Sequence, residues 1–349
     1  MQAVILAGGF GTRLQPLTFT RPKPLMPIIN KPMIMHIIDK LPKEIDKVLL
    51  AVNYKKEQLE QYFENYDVGI EVKLIEEKEA LGTGGAIKNL EKYINGTFLC
   101  FNGDIITSLD ISKFLKFHKK KKGIGTIALR EVEDPTAYGV IGIDENNKIY
   151  KFLEKPKKEE IFSNLINAGT YVLEQDILDF IESGKKVSIE REVYPFVLDK
   201  SLFGYKFEGY WVDVGRLENY LTAHKILMDE NVKSGKEKIF GQNVIFGKKS
   251  KIIPPVVIGD NCKIDGTFGP YACIDNFVYI ENDVRISNSV IFSDSIFREN
   301  SKIEKSIVGE GCKIFENATV FASMLGDCCV VKKAAVLRST KVQPNEIRG

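Results

Sequence analysis

Apolar and polar residues follow two different grammars along this chain, and they meet near residue 235. In the first, short β-branched or apolar runs (Ala3–Ala7, Val48–Val52, Ile70–Ile75, Phe98–Asn102) alternate with stretches of helical period (Met33–Lys40, Glu57–Glu64, Ala86–Lys92, Ile111–Lys119). Strands alternating with helices predict βαβ units and a mostly parallel sheet covered on both faces. Closely spaced runs at Gly125–Leu129, Val140–Ile143, Ile149–Phe152 and Gly169–Leu173 predict antiparallel additions to that sheet. Arg216–Glu230 predicts a connecting helix, and the polar stretch Lys233–Lys238 reads as a linker. The expected domains are 1–232 and 240–349.

Beyond the linker, apolar residues recur every six positions: Ile274, Ile280, Ile286; Ile291, Phe297, Ile303; Val308, Ile314, Val320; Leu325, Val331, Leu337. Successive triplets are offset so that the whole pattern has a period of 17 residues. Ser289, Ser306, Ser323 and Thr340 keep the same beat. A hexapeptide repeat places one short strand on each of three faces and buries each coil on the next. This register predicts a parallel β-helix with an irregular first coil at Ile252, Ile258 and Ile264; a β-sandwich would show period two. Cys312 and Cys329 fall at equivalent positions of adjacent coils, where small apolar filling explains them better than chemistry.

Composition narrows the function. Of 349 residues, 49 are basic and 47 acidic, so no global basic field favours nucleic acid as a partner. No apolar run is long enough to span a bilayer, and Met1-Gln2-Ala3-Val4 lacks the basic start of a signal peptide. A cytoplasmic protein is the expectation. Six Cys without a C-x-x-C pair suggest reduced thiols rather than a zinc site or a disulfide framework.

Candidate chemistry begins directly after the first strand, at Leu6-Ala7-Gly8-Gly9-Phe10-Gly11-Thr12-Arg13-Leu14. Its glycines allow tight turns, and its exposed N–H groups make an anion nest. The loop fits neither the dinucleotide fingerprint, because position 14 is Leu, nor a Walker A loop, because Thr12-Arg13 is not Gly-Lys-Ser/Thr. Pro22 and Pro24 bracket Lys23, and extended backbone is expected there. A Lys on a stiff backbone beside an anion nest suits a phosphate chain.

Gly8 to Leu14 together with Lys23 resembles the fingerprint of sugar-1-phosphate nucleotidyltransferases, and the resemblance extends over the whole chain. It implies a Rossmann-like, mostly parallel mixed sheet flanked by helices, followed by a left-handed parallel β-helix. It implies a nucleoside triphosphate and a sugar 1-phosphate as substrates, with pyrophosphate released. Leu6, Ala7, Gly8, Gly9, Gly11, Thr12, Arg13, Lys23, Gly82 and Thr83 are the implied nucleotide-binding residues. Asp104, at the end of a buried strand, and Asp213, in Trp211-Val212-Asp213-Val214-Gly215, are the implied ligands of Mg²⁺. Arg13, Lys23, Asp104 and Asp213 form the implied catalytic set. Lys155 is implied to hold the sugar phosphate, Glu154 and Asn167 its hydroxyls, and Gly139 to leave room for the sugar.

Leu81-Gly82-Thr83-Gly84-Gly85 is expected to open a helix and bring backbone amides to a base. It resembles the guanylyltransferase branch, with mannose 1-phosphate favoured over a heptose 1-phosphate, and lacks the Gly-Leu-Ala-Gln run of thymidylyltransferases. A glucose-1-phosphate thymidylyl- or uridylyltransferase is the alternative enzyme, and a regulatory scaffold homologue the alternative outside catalysis. The scaffold reading expects loss of some of Arg13, Lys23, Asp104, Lys155 and Asp213, and all five are present. A second, acetyl-transferring activity in the coils would resemble enzymes that use a His base, and no His follows His224. A homo-oligomer, through the exposed faces and ends of the coils, is the expected state.

Overall fold

Strands buried on both faces of a parallel sheet are apolar without alternation. β1 (Gln2–Leu6), β2 (Lys47–Val52) and β4 (Phe98–Asn102) show that pattern, with Val4, Leu49, Leu50, Phe98 and Cys100 buried. β1 lies between β2 and β4, parallel to both, and β3 (Glu71–Glu76) extends the parallel run beyond β2. The chain then turns antiparallel. β8 (Leu165–Leu173) pairs with β4, with β5 (Gly125–Glu131) and with β6 (Gly139–Ile143), and β7 (Ile149–Glu154) closes a hairpin on β6. β9 (Leu202–Lys206) joins β5 in parallel and completes a nine-stranded sheet. The sequence pattern does not disclose β9, because Gly204 interrupts its alternation.

The computed structural model describes residues 1–349, which fall into two units. The first comprises Met1–Phe10 and Ile34–Trp211, and contains the nine-stranded sheet. The second comprises Gly11–Met33 and Val212–Gly349. No helix is long and apolar enough to cross a membrane.

The helices of the first unit follow local rules. α1 (Met35–Ile38) is shorter than its periodic stretch. Its last turn tightens to i→i+3 bonds at Lys40 and Leu41, and Pro42 cannot continue it. α2 (Lys56–Asn65) and α3 (Gly82–Asn89) follow β2 and β3. α4 (Ile111–Lys121) is capped by Asp110, whose carboxylate accepts from the Lys113 N–H at 3.0 Å, and it ends in Lys119, Lys120 and Lys121, which complement the helix dipole. His118 on α4 is buried between Thr126 (2.9 Å) and Glu174 (2.8 Å), so its role is structural.

In the second unit, α5 (Leu217–Lys233) precedes three stacks of short parallel strands. Ile274, Ile291, Val308, Leu325 and Val342 align in one stack; Ile280, Phe297, Ile314 and Val331 in the next; Ile286, Ile303, Val320 and Leu337 in the third. The stacks fit a β-helix, and the apolar positions of the 17-residue period form its interior. Ser289, Ser306 and Ser323 make a ladder up one corner. Each hydroxyl donates to a carbonyl of its own coil at 2.7 Å and accepts the N–H of the equivalent residue one coil on, at 3.0–3.1 Å. That N–H sits at a bend, where a strand carbonyl does not reach it.

Candidate active site

The sheet delivers its glycine loop at the carboxyl end of β1, the end where open α/β sheets bind ligands. Leu6 accepts the Gly103 N–H at 2.9 Å, so the β1 loop and the turn carrying Asp104 are tied together in the first unit. Gly8 stands against Glu77: a Cβ there would lie 2.8 Å from Oε1. Gly9 has nothing within 4 Å of where its Cβ would be, leaving its backbone open to close approach. In the second unit, Gly11 has φ +62° and opens the turn Thr12–Leu14, while the Thr18 hydroxyl donates to its carbonyl at 2.9 Å. A Cβ on Gly11 would meet Thr18 at 2.9 Å and Lys23 at 3.4 Å. The loop carrying Arg13 is therefore packed back onto Lys23.

Lys23 is not extended as expected. It is the first residue of a 3₁₀ turn, Lys23–Leu25, in which Met26 donates to its carbonyl at 3.0 Å. Pro22 is the extended residue, and Pro24 occupies the second position of the turn, where a missing N–H is harmless. Arg13 reaches the Asp213 carboxylate at 3.9 Å, bringing two of the implied catalytic residues together. Asp213 is held by its own carbonyl, which accepts from Asn219 Nδ2 (2.7 Å) and the Gly215 N–H (2.9 Å). Gly215 leaves room for the guanidinium, since a Cβ there would stand 2.7 Å from Arg13.

Two glycines of the 82–85 run are committed to packing. Gly84 and Gly85 donate to the Val187 carbonyl at 2.9 and 3.2 Å, and Cβ atoms on Gly82 and Gly85 would lie 2.6 and 2.5 Å from the carbonyls of Val187 and Lys185. These glycines let α3 sit directly on segment 185–189, so the amides of Gly84 and Gly85 are taken. Thr83 donates its hydroxyl to Glu190 at 2.6 Å and accepts the Ile189 N–H at 3.0 Å.

The implied sugar residues share the first unit. β7 ends at Glu154, and Lys155 follows with φ +50°, an uncommon conformation for a Lys before Pro. Its N–H donates to the Tyr138 carbonyl at 2.9 Å, which holds the turn. The strand runs two residues past the predicted Phe152, and the left-handed turn after it sets where the Lys155 side chain emerges. Lys155 lies 3.7 Å from Glu154, and Glu154 in turn abuts Gly139, where a Cβ would sit 2.8 Å from Oε2. Asn167 donates to the Tyr171 hydroxyl at 2.8 Å and accepts the Gly169 N–H at 2.9 Å.

Sequence reasoning missed two carboxylates here. Glu77 is 6% exposed, accepts the Leu81 N–H at 3.3 Å, and is held above the ordinary glutamate pKa by burial. Glu190 binds Thr83 and Ser188. Both sit in charged runs that read as solvated faces, so only tertiary structure reveals them.

Burial first, and the Glu190 charge second, raise the Glu154 pKa against the lowering influence of Lys155 and Arg191. A raised carboxyl favours the folded state fully below the ordinary glutamate pKa and loses that contribution as pH rises through the raised value. Glu154→Gln is therefore expected to raise the melting temperature at pH 8 relative to wild type, and to gain nothing at pH 4. It should also raise KM for the sugar 1-phosphate. A lower melting temperature at pH 8 would contradict this account.

The comparisons with known proteins agree with this architecture. The nucleotidyl transferase family matches residues 2–230, and the GMPPB C-terminal domain family matches residues 252–347. The chain belongs to the nucleotidyl transferase family. It is 36% identical to a mannose-1-phosphate guanyltransferase of Eremothecium gossypii, over 99% of this chain and 96% of that protein. It is also 36% identical to a bifunctional protein GlmU of Methanocaldococcus jannaschii, over 95% of this chain and 83% of that one. Among solved structures, HddC from Yersinia pseudotuberculosis complexed with GMP-PN is 31% identical with a TM-score of 0.54, covering 64% of this chain and 98% of its own. As a nucleotidyl transferase, the chain is an enzyme that moves a nucleotidyl group to a sugar 1-phosphate. Members of this family generally use a divalent metal.

Proposed function

We propose that this nucleotidyl transferase joins GTP to mannose 1-phosphate. The observation that carries the choice of base is Glu77. A buried carboxylate beside Gly8 and the start of α3 can accept the paired N1–H and N2–H donors of guanine, which uracil and thymine lack. The relatives named for mannose-1-phosphate guanylyl transfer support the choice of sugar.

The attacking group is already an anionic phosphate oxygen, so no general base is needed. The problem is to bring two anions together and align them for in-line displacement at the α-phosphorus. Arg13 and Lys23 hold the triphosphate and Lys155 the sugar phosphate. Glu154 and Asn167 take sugar hydroxyls, with Gly139 leaving the space beside Glu154. Asp104 and Asp213 are hard oxygen donors suited to Mg²⁺, an ion that keeps phosphate oxygens and water in the rest of its shell. Asp213 fits that role: its side chain is 22% exposed and already faces a cation, Arg13. The ion would supply charge neutralisation at the phosphates.

The domain reading, 1–232 for catalysis and 240–349 for the left-handed coils, belongs to the same proposal, as does a cytoplasmic homo-oligomer. Phe240, Ile245 and Phe246 are exposed on the first coil and support self-association; a light-scattering mass equal to one chain would refute it. The deciding experiment for substrate is a matrix of nucleoside triphosphates against sugar 1-phosphates, with and without Mg²⁺, read by pyrophosphate release. GTP with mannose 1-phosphate should give the highest kcat/KM, and Glu77→Gln should erode the preference for GTP. Failure to use GTP would overturn the assignment.

A further inference from the structure

A cavity of about 630 Å³ opens in the second unit between the first turns of α5 and the coils. Small-molecule sites are typically about 300–1,000 Å³. Four cations line it, Arg13, Arg216, Lys305 and Lys341, against one carboxylate, Glu218. Leu217 and Leu221 on α5 and Met324 on the coils give it an apolar wall.

The coil period shows how the floor is kept open. Lys305, Ala322 and Ser339 occupy the same corner of three successive coils, with φ of +50°, +47° and +47°. Such a corner favours Asn or Gly, and the coil before them has Asn288 there, with φ +48°. Ala322 and Ser339 are small residues in a conformation their side chains do not favour, and they leave a notch. Lys305 lies on one side of the notch, and Lys341, paired with Met324 in the strand stack, on the other.

We propose that this cavity binds a nucleoside diphosphate as a regulatory ligand. The cations match the diphosphate, and the apolar wall suits a base, which a bare phosphate or a sugar phosphate would leave unused. Arg13 makes the site regulatory: the guanidinium that lines the cavity also stands 3.9 Å from Asp213. A diphosphate that takes Arg13 withdraws it from the triphosphate, so occupancy lowers turnover, and nucleotide binding at the catalytic loop weakens the cavity in return. This regulatory consequence rests on the role proposed for Arg13 above.

GDP is the probe, tested on the full chain against two variants. Lys305→Ala with Lys341→Ala removes charge from exposed positions, and Ala322→Asn fills the notch with a residue that tolerates the positive φ. Calorimetry should count two GDP per wild-type chain and one in each variant. GDP inhibition of pyrophosphate release should have a component that saturating GTP does not relieve. That component should weaken at least about tenfold in both variants, while kcat and KM without GDP stay within about twofold. Equal GDP stoichiometry in wild type and both variants, or inhibition that is purely competitive with GTP and unchanged in the variants, would overturn the proposal. Loss of one GDP from a chain that accepts no sugar 1-phosphate would keep the cavity and refute the catalytic reading instead.

Discussion

Asp213→Asn is expected to lower pyrophosphate release at saturating substrates by about 10²–10³-fold, the range seen when a group aimed at developing charge is removed. The substitution keeps the shape of the side chain and removes the charge that faces Arg13. The main-chain carbonyl of Asp213, not its carboxylate, accepts from Asn219 and Gly215, so the turn stays in place. The melting temperature should therefore hold while the rate collapses. A rate within about threefold of wild type would remove Asp213 from the catalytic set.

Arg21 carries the second large effect, and the mechanism is opposite: stability falls first. Arg21 donates to Asp327 at 2.7 Å and to Glu310 at 2.9 Å, and lies over the Phe292 ring at 4.8 Å. Its side chain is 17% exposed and that of Asp327 12%, whereas Glu310 is half exposed and turns readily to water. Removing one member of a buried pair strands the other charge, at about 3–5 kcal/mol. Arg21→Ala should fall near the lower end, because only Asp327 is left buried. The paired change Arg21→Met with Asp327→Leu should recover much of the loss, since apolar packing replaces a buried pair at little penalty. It should not recover nucleotide binding. Arg21 stands two residues before Lys23, and it anchors that segment to the coils. KM for the nucleotide should stay raised in the paired variant, with KM for the sugar 1-phosphate unchanged. Full recovery of both would make Arg21 a stability element alone.

Arg21 also shows where sequence reading reaches its limit. The strands of the central sheet and the coil period are legible because apolar spacing alone imposes them: Val48 to Val52 and Ile274 to Leu337 need no partner to be read. The glycine loop, Asp104 and Asp213 are legible because their order along the chain is itself a signature. Interactions across long separations leave no local trace. Arg21, two residues before the Pro-bracketed Lys23, is committed to carboxylates 289 and 306 residues away, a pairing that no local pattern marks. Likewise Asn30 donates to the Ile274 carbonyl, so Gly11–Met33 belongs with the coils and not with the sheet that precedes it in sequence. The 3₁₀ turn at Lys23 is closed by the local hydrogen bond from Met26, whereas the left-handed Lys155 is held from a distance by the Tyr138 carbonyl.

The serine ladder has a consequence for how this chain can change length. Because each rung spans one coil, the coils from Ser289 onward behave like a screw thread with a fixed pitch of 17 residues. Excising residues 291–307 would join Val290 to Val308, the residue that aligns with Ile291, and every later side chain would keep its inward or outward address. Losing a single residue from the same stretch would turn the interior of all later coils outward. Insertions and deletions in these later coils are therefore quantised, and the ladder sets the quantum.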